Sequence, residues 1–180
     1  MNPLAQAAPS APTGDAPTQQ YLTFVLGTEL FCINIHQIKE IIWYAGVTPV
    51  PMMPPCIRGV INLRGAVVPV MDLSARFGRE STPVGKSTCI VIMEVPALGG
   101  GDPQSMGLVV DAVQAVLEIA AIDIEPTPSF GARIRSDFIQ GIAKVNGKFV
   151  IVLHANQVLS VQEIAAMGQA AQQLEMATVP

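Results

Sequence analysis

The chain has 180 residues, half of them hydrophobic, with a formal net charge of −4 and a pI near 5.0. Its ten Lys and Arg residues are scattered singly, which excludes the basic footprint of a nucleic-acid-binding protein. No apolar run approaches the roughly eighteen residues of a membrane span, and the first residues lack the basic-then-apolar pattern of a secretory signal, so a cytoplasmic protein without membrane insertion is expected.

The apolar content is mostly Val, Ile and Leu, which leans towards β structure. Residues 1–19 are rich in Ala and Pro with almost no charge, and are predicted to form a disordered tail. Residues 21–26 and 30–35 are short β-rich runs across Gly27-Thr28-Glu29, a hairpin. Next, with Asn34 as N-cap, Ile35, Ile38, Ile41 and Ile42 fall at helical spacing, although so Ile-rich a segment also suits a bent strand.

Residues 47–55 are Pro-rich and extended, and 55–59 are expected to make one helical turn ended by Gly59. A second hairpin follows over 60–63 and 66–71, turning at Arg64-Gly65. Asp72 can then cap a short helix over 73–77, stopped by Gly78. The second half repeats the order: a strand over 88–95, a Gly-rich loop, a strand over 107–117, a Pro-rich stretch to Pro128, and a hairpin at Asn146-Gly147. Ser160 with Glu163 forms a capping box for a C-terminal helix that frays within 160–180.

This repetition has a fixed register. Residues 59–77 lie on 141–159 without a gap at an offset of 82, with Gly59, Gly65, Val68 and Val70 matched by Gly141, Gly147, Val150 and Val152. Residues 31–42 match 106–117 in apolar frame at an offset of 75. Two copies of a five-strand unit with short strands and many turns point to two small β-barrels, with a natural binding groove at the seam between them.

The duplication also exposes two departures. Asn146-Gly147 is the favoured pair for a tight turn with positive φ, whereas Arg64-Gly65 puts a long cation where Asn or Asp suits the fold, which marks Arg64 as a contact residue. Pro69 replaces Ile151 inside a strand and is expected at an edge or bulge.

Chemistry is sparse. Gly85-Lys86-Ser87 lacks the glycine spacing and the following helix of a phosphate-binding loop. His36 and His154 have no nucleophile–base surroundings, and the carboxylates lack metal-ligand spacing. The pattern speaks for a protein-binding surface with no cofactor and against an enzyme; a small-molecule-carrying double barrel is the alternative of a different class.

Residues Gly59-Val60-Ile61-Asn62-Leu63-Arg64-Gly65, running into Val67-Val68-Pro69-Val70-Met71-Asp72-Leu73 and Arg76-Phe77-Gly78, closely resemble the signature of the CheW family of chemotaxis coupling proteins. The likeness extends from about residue 20 to 159, through Phe24-Val25-Leu26-Gly27, Ile38-Lys39-Glu40-Ile41 and Gly107-Leu108-Val109-Val110-Asp111-Ala112-Val113.

The resemblance implies a mainly β fold of two SH3-like five-stranded barrels with short helices, a first barrel over about 20–84 and a second over about 85–159 within a domain of 20–165. It implies a non-enzymatic adaptor between a methyl-accepting chemoreceptor's signalling tip and a CheA-like histidine kinase, in swimming chemotaxis or in a surface-motility or other chemosensory pathway. Its site residues would map to Arg64, Asn62, Ile38 and Glu40, with Val109, Val113 and Phe138 as further groove or kinase contacts. The bulky Ile42-Trp43-Tyr44 departs from the family pattern.

Overall fold

The computed structural model describes residues 17–97, 100–127 and 134–160. Eleven strands form two sheets: β1 (Thr18–Leu26), β2 (Glu29–Asn34), β3 (Ile38–Trp43), β4 (Ile57–Leu63), β5 (Ala66–Asp72), β6 (Cys89–Val95), β7 (Gln104–Val110), β8 (Ala112–Ala120), β9 (Ile124–Glu125), β10 (Ile139–Val145) and β11 (Lys148–Leu153). Among the described residues two one-turn helices, α1 (Leu73–Arg76) and α2 (Ala155–Val158), follow β5 and β11.

One sheet has the order β8-β1-β2-β11-β10-β9 and the other β3-β6-β7-β5-β4. The β3–β7 sheet is therefore contiguous in sequence and inserted into the other, which is assembled from both ends of the chain. The division expected at about residue 84 is corrected accordingly: the chain crosses between sheets at the 3-10 turn Ile35–Gln37 and again at Asp111.

The physical reason lies in the duplication. Taking β1–β5 as one copy and its matches β6, β7, β8, β10 and β11 as the other, both sheets share one core order, in which each barrel takes its first hairpin from one copy and its remaining strands from the other. The register agrees: β11 runs parallel to β2 with Val152 beside Cys32, and β5 runs parallel to β7 with Val70 beside Gly107, the same pair of positions at offsets of 82 and 75. The sequence repeat marks the duplicated unit, not the packed one.

Three cores follow from strand alternation. One face of both sheets supplies a large shared core that includes Phe24, Phe31, Met71, Leu73, Phe77, Met93, Leu108 and Phe138. The opposite face of each sheet closes on its own small interior: Tyr21, Cys32, Ile119, Ala143, Val150 and Val152 in one barrel, Val70, Ile90, Ile92 and Val109 in the other. The short helices tie the barrels together. Arg76 of α1 is buried, donates from Nε to the Val158 carbonyl at 2.8 Å and lies over the Phe138 ring, so it caps the last turn of α2.

Both paired glycines sit where another chain segment crosses β4 or β10. A Cβ at Gly59 would strike the Thr48 carbonyl and one at Gly141 the Glu125 carbonyl, so the same close approach demands glycine in each copy.

Several expectations change. The helix over Ile35–Ile42 is only one 3-10 turn, capped by Asn34 as expected, before the edge strand β3; β-branched side chains and a barrel partner decide in favour of the strand. The helical turn at 55–59 is absent because β4 already begins at Ile57. The strand expected over 107–117 breaks at Asp111 into β7 and β8, which join different sheets. β1 starts at Thr18 and pairs with Ala120, so the ordered chain reaches into the expected tail. The capping-box helix lies outside the described residues. Pro69 stands in β5 one residue before parallel pairing with β7 begins at Val70, a local edge, whereas its counterpart Ile151 is paired with Phe31.

Candidate functional site

The β4–β5 hairpin and edge strand β3 build the site. Arg64 and Gly65 occupy the turn with φ of 52° and 87°, and Asn146 and Gly147 occupy its counterpart with 53° and 79°. The two turns share one backbone conformation, so Arg64 holds a left-handed geometry that favours Asn or Gly. Asn62, one of the expected contact residues, has a structural task here: its Oδ1 accepts from the Gly65 N–H at 2.8 Å and closes the turn.

A bulge in the β3–β6 pairing between Ile38 and Glu40 re-aims the strand. Ile38 before it packs half-buried on the shared core, while Ile42 after it packs on the small interior. Glu40 then meets Arg64: Nη2 donates to Oε1 at 2.9 Å and Nη1 donates to Oε2. Arg64 is 74% exposed and Glu40 25%. The hydrogen bond from Arg64, supported by its charge, holds the Glu40 carboxyl below its ordinary range, and the same pairing raises the Arg64 guanidinium. The structure thus brings together two residues selected separately in the sequence, and the result is a preorganised, exposed bidentate ion pair.

The more weakly motivated residues divide. Val113 is half-buried and lines an open groove of about 380 Å³ with Ile41, Ile42, Trp43, Ser87, Cys89 and Ala112, where β3 of one barrel faces β8 of the other. Val109 is fully buried in a barrel interior and Phe138 is 1% exposed in the shared core, 5.8 Å from Phe77 and flanked by the Arg76 and Arg135 guanidinia. Neither is a surface contact. β7 is covered on both faces, which gives its continuous apolar run, and Phe138 sits on the 3-10 turn that seats β10.

Sequence reasoning missed the group that fixes β4. The Asp72 carboxylate, fully buried, caps α1 by accepting from Ala75 N at 3.2 Å, and also accepts from Thr82 N, Thr82 Oγ1 and Arg58 Nε. Arg58 further donates to the Tyr44 hydroxyl at 3.2 Å and to the Thr82 carbonyl. Asp72 was legible as a cap, but nothing in the spacing pointed to Arg58. A second carboxylate, Asp111, accepts from Gly27 N at 2.6 Å and pins the first hairpin's turn to the crossing between sheets.

Among the described residues no group of three or more His, Cys, Asp or Glu is placed to hold a metal, and no helix is long and apolar enough to cross a membrane. All three cysteines are buried and outside any disulfide, and burial pushes the Cys32 thiol up to about 12.

Residues 20–163 match the CheW-like domain model. The chain belongs to the CheW family. Chemotaxis protein CheW of Rhizobium meliloti (strain 1021) is 32% identical over 145 residues, covering 81% of this chain and 90% of the relative. Chemotaxis protein CheW of Klebsiella aerogenes is 30% identical over 158 residues, covering 88% and 92%. The crystal structure of scaffolding protein TtCheW from Thermoanaerobacter tengcongensis superposes with a TM-score of 0.70 at 34% identity, covering 83% of this chain and 94% of that one. The CheW family fold of two SH3-like barrels accounts for the interleaved sheets, and the chain's role is that of an adaptor in chemotaxis.

Proposed function

We propose that this CheW-family protein couples a chemoreceptor's signalling tip to a CheA-like histidine kinase in the cytoplasm, binding both proteins and catalysing no reaction itself. The observation that carries this reading is Arg64: an exposed cation in a left-handed turn where the chain's second copy has Asn146, held rigid by Glu40. Such a side chain adds nothing that the turn needs and offers a partner a preorganised charged contact. By holding receptor and kinase together the adaptor raises their effective concentration and fixes their geometry. The groove lined by Ile41, Trp43 and Val113 is the apolar surface for the receptor. Ile38 packs half-buried on the shared core just before the β3 bulge that presents Glu40.

The test is co-precipitation of the purified full chain with the kinase and a receptor signalling fragment, alone and together, with folded Arg64→Ala as control. Binding to both partners, weakened about ten- to a hundred-fold by the substitution, supports the reading. A folded chain that binds neither partner overturns it.

A further inference from the structure

Trp43, the chain's one tryptophan and 69% exposed, walls two depressions. One is the groove shared with β8; the other, of about 450 Å³, opens between the edge strands β3 and β4 and is lined by Ile42, Trp43, Val47, Val60, Ile61 and Asn62. This second depression offers donors in excess. Tyr44 N donates to the Thr88 carbonyl, so by strand alternation the Trp43 backbone N–H points away from β6 and towards the seam. Asn62 uses Oδ1 to close its turn, and among the described residues neither its Nδ2 nor the Trp43 indole N–H meets a protein acceptor. On the opposite wall the β4 edge is already taken at Val60, which pairs with Thr48.

An occupant therefore has to bring apolar surface together with free carbonyl groups and few N–H groups of its own. An added strand finds the β4 edge closed, and an α-helix has its carbonyls bonded along its length. A polyproline II segment meets both demands, because it makes no internal hydrogen bonds and its prolines carry no N–H. This chain holds such a segment. Residues 1–16 contain Pro3, Leu4, Pro9 and Pro12, with Asp15 as the only charged side chain. Thr18 pairs with Ala120 at one end of β8, and Trp43 lies by Ala112 and Val113 at the other, about 30 Å away over a nine-residue strand. At about 3.1 Å per residue, Pro9 reaches roughly 25 Å from Pro17 and Leu4 roughly 40 Å, so the stretch between them spans that length.

We propose that this Pro-rich N-terminal segment, residues 3–9 above all, docks in the depression between β3 and β4 as an autoinhibitory contact, giving its carbonyls to the Trp43 and Asn62 donors and covering the indole. Tethering supplies an effective concentration on the order of millimolar, so a weak contact suffices to fill the site. The inhibitory role rests on the coupling function proposed above: the docked segment lies against the turn that presents Arg64, so a partner has to displace it.

The test compares the full chain with a full-length variant carrying Pro3→Ser, Leu4→Ser, Pro9→Ser and Pro12→Ser, reading acrylamide quenching of Trp43 and co-precipitation with the kinase and a receptor signalling fragment from the same cell. Quenching is expected to rise about two-fold or more in the variant at an unchanged melting temperature, and excess synthetic peptide of residues 1–16 is expected to restore the protection. Partner affinity is expected to rise about two- to ten-fold in the variant as the competing segment is lost. Equal quenching of the two proteins overturns the proposal, and so does unequal quenching with equal partner affinity. Protection that grows with chain concentration assigns the segment of a second copy to the depression and overturns it as well. If neither protein binds kinase or receptor, the coupling reading and the inhibitory role fall together, while the quenching alone still decides whether the segment docks.

Discussion

Arg64, at the tip of the β4–β5 hairpin, and Glu40, on β3, close a bidentate ion pair between the two edge strands of a barrel whose sheet order begins at β3 and ends at β4. The pair spans a seam without a backbone ladder, and it does so at the protein's most exposed guanidinium among the described salt bridges. Stability and recognition therefore make opposite demands on residue 64.

Replacing Arg64 by Asn separates the two demands. Asn tolerates the left-handed turn that Asn146 already occupies, so Arg64→Asn is predicted to raise the melting temperature by about 2–4 °C. The same variant loses ten-fold or more in ternary assembly with receptor and kinase. Thermal melts and co-precipitation of one preparation check both; a fall in melting temperature would show that the ion pair outweighs the turn.

Acid acts on the same pair. The Glu40 carboxyl is depressed chiefly by the hydrogen bond from Arg64, so the pair is fully formed above the ordinary carboxylate range and is lost as pH falls through the depressed value. Receptor binding is predicted to stay flat from neutral pH down through pH 5. It should weaken with added salt, because an exposed pair is screened over about 10 Å at 0.1 M. Affinity measured across pH and ionic strength tests this, and a titration step near neutrality would contradict it.

Asp72 should matter for stability alone. Asp72→Ala removes a cap, takes the carboxylate from the Arg58 guanidinium and leaves the Thr82 N–H without its acceptor, at a cost of about 3–5 kcal/mol by urea unfolding. A loss under about 1 kcal/mol would show that the network is not what fixes β4 against the Thr82 loop.

The cysteines give a readout of packing. With its thiol near 12, Cys32 in the native protein should alkylate far more slowly than a free thiol at pH 8, and its rate should still be climbing at pH 10 where an ordinary thiol has levelled off. Mass-resolved alkylation of native protein measures this; rapid labelling of Cys32 at pH 8 would mean that the barrel containing β1 and β2 opens readily.

The hairpins, the glycine frame and Arg64 were legible because each is a local decision: turn geometry selects Asn-Gly, and a departure from it is visible within four residues. The duplication at offsets of 82 and 75 was legible for the same reason, and both offsets reappear as one parallel register. What stayed hidden is which copy lends its hairpin to which barrel, since Phe31 and Val109 read the same whether their neighbours come from the near or the far half of the chain. Burial was misjudged where a strand is covered on both faces, as at Val109, or where an aromatic follows an unassigned loop, as at Phe138. Ile35–Ile42 fits both a helical and an extended period, and only the pairing of β3 with β6 shows which one the chain adopts. Trp43 was noticed as a departure, but its exposure depends on where β8 runs.

The most direct measurement of the central claim is receptor control of kinase autophosphorylation in a reconstituted mixture of receptor, kinase and this chain, wild type against Arg64→Asn. The account predicts that wild type brings the kinase under receptor control and that the stable, folded Arg64→Asn protein fails to do so. Full control by Arg64→Asn, or none by wild type, would contradict it.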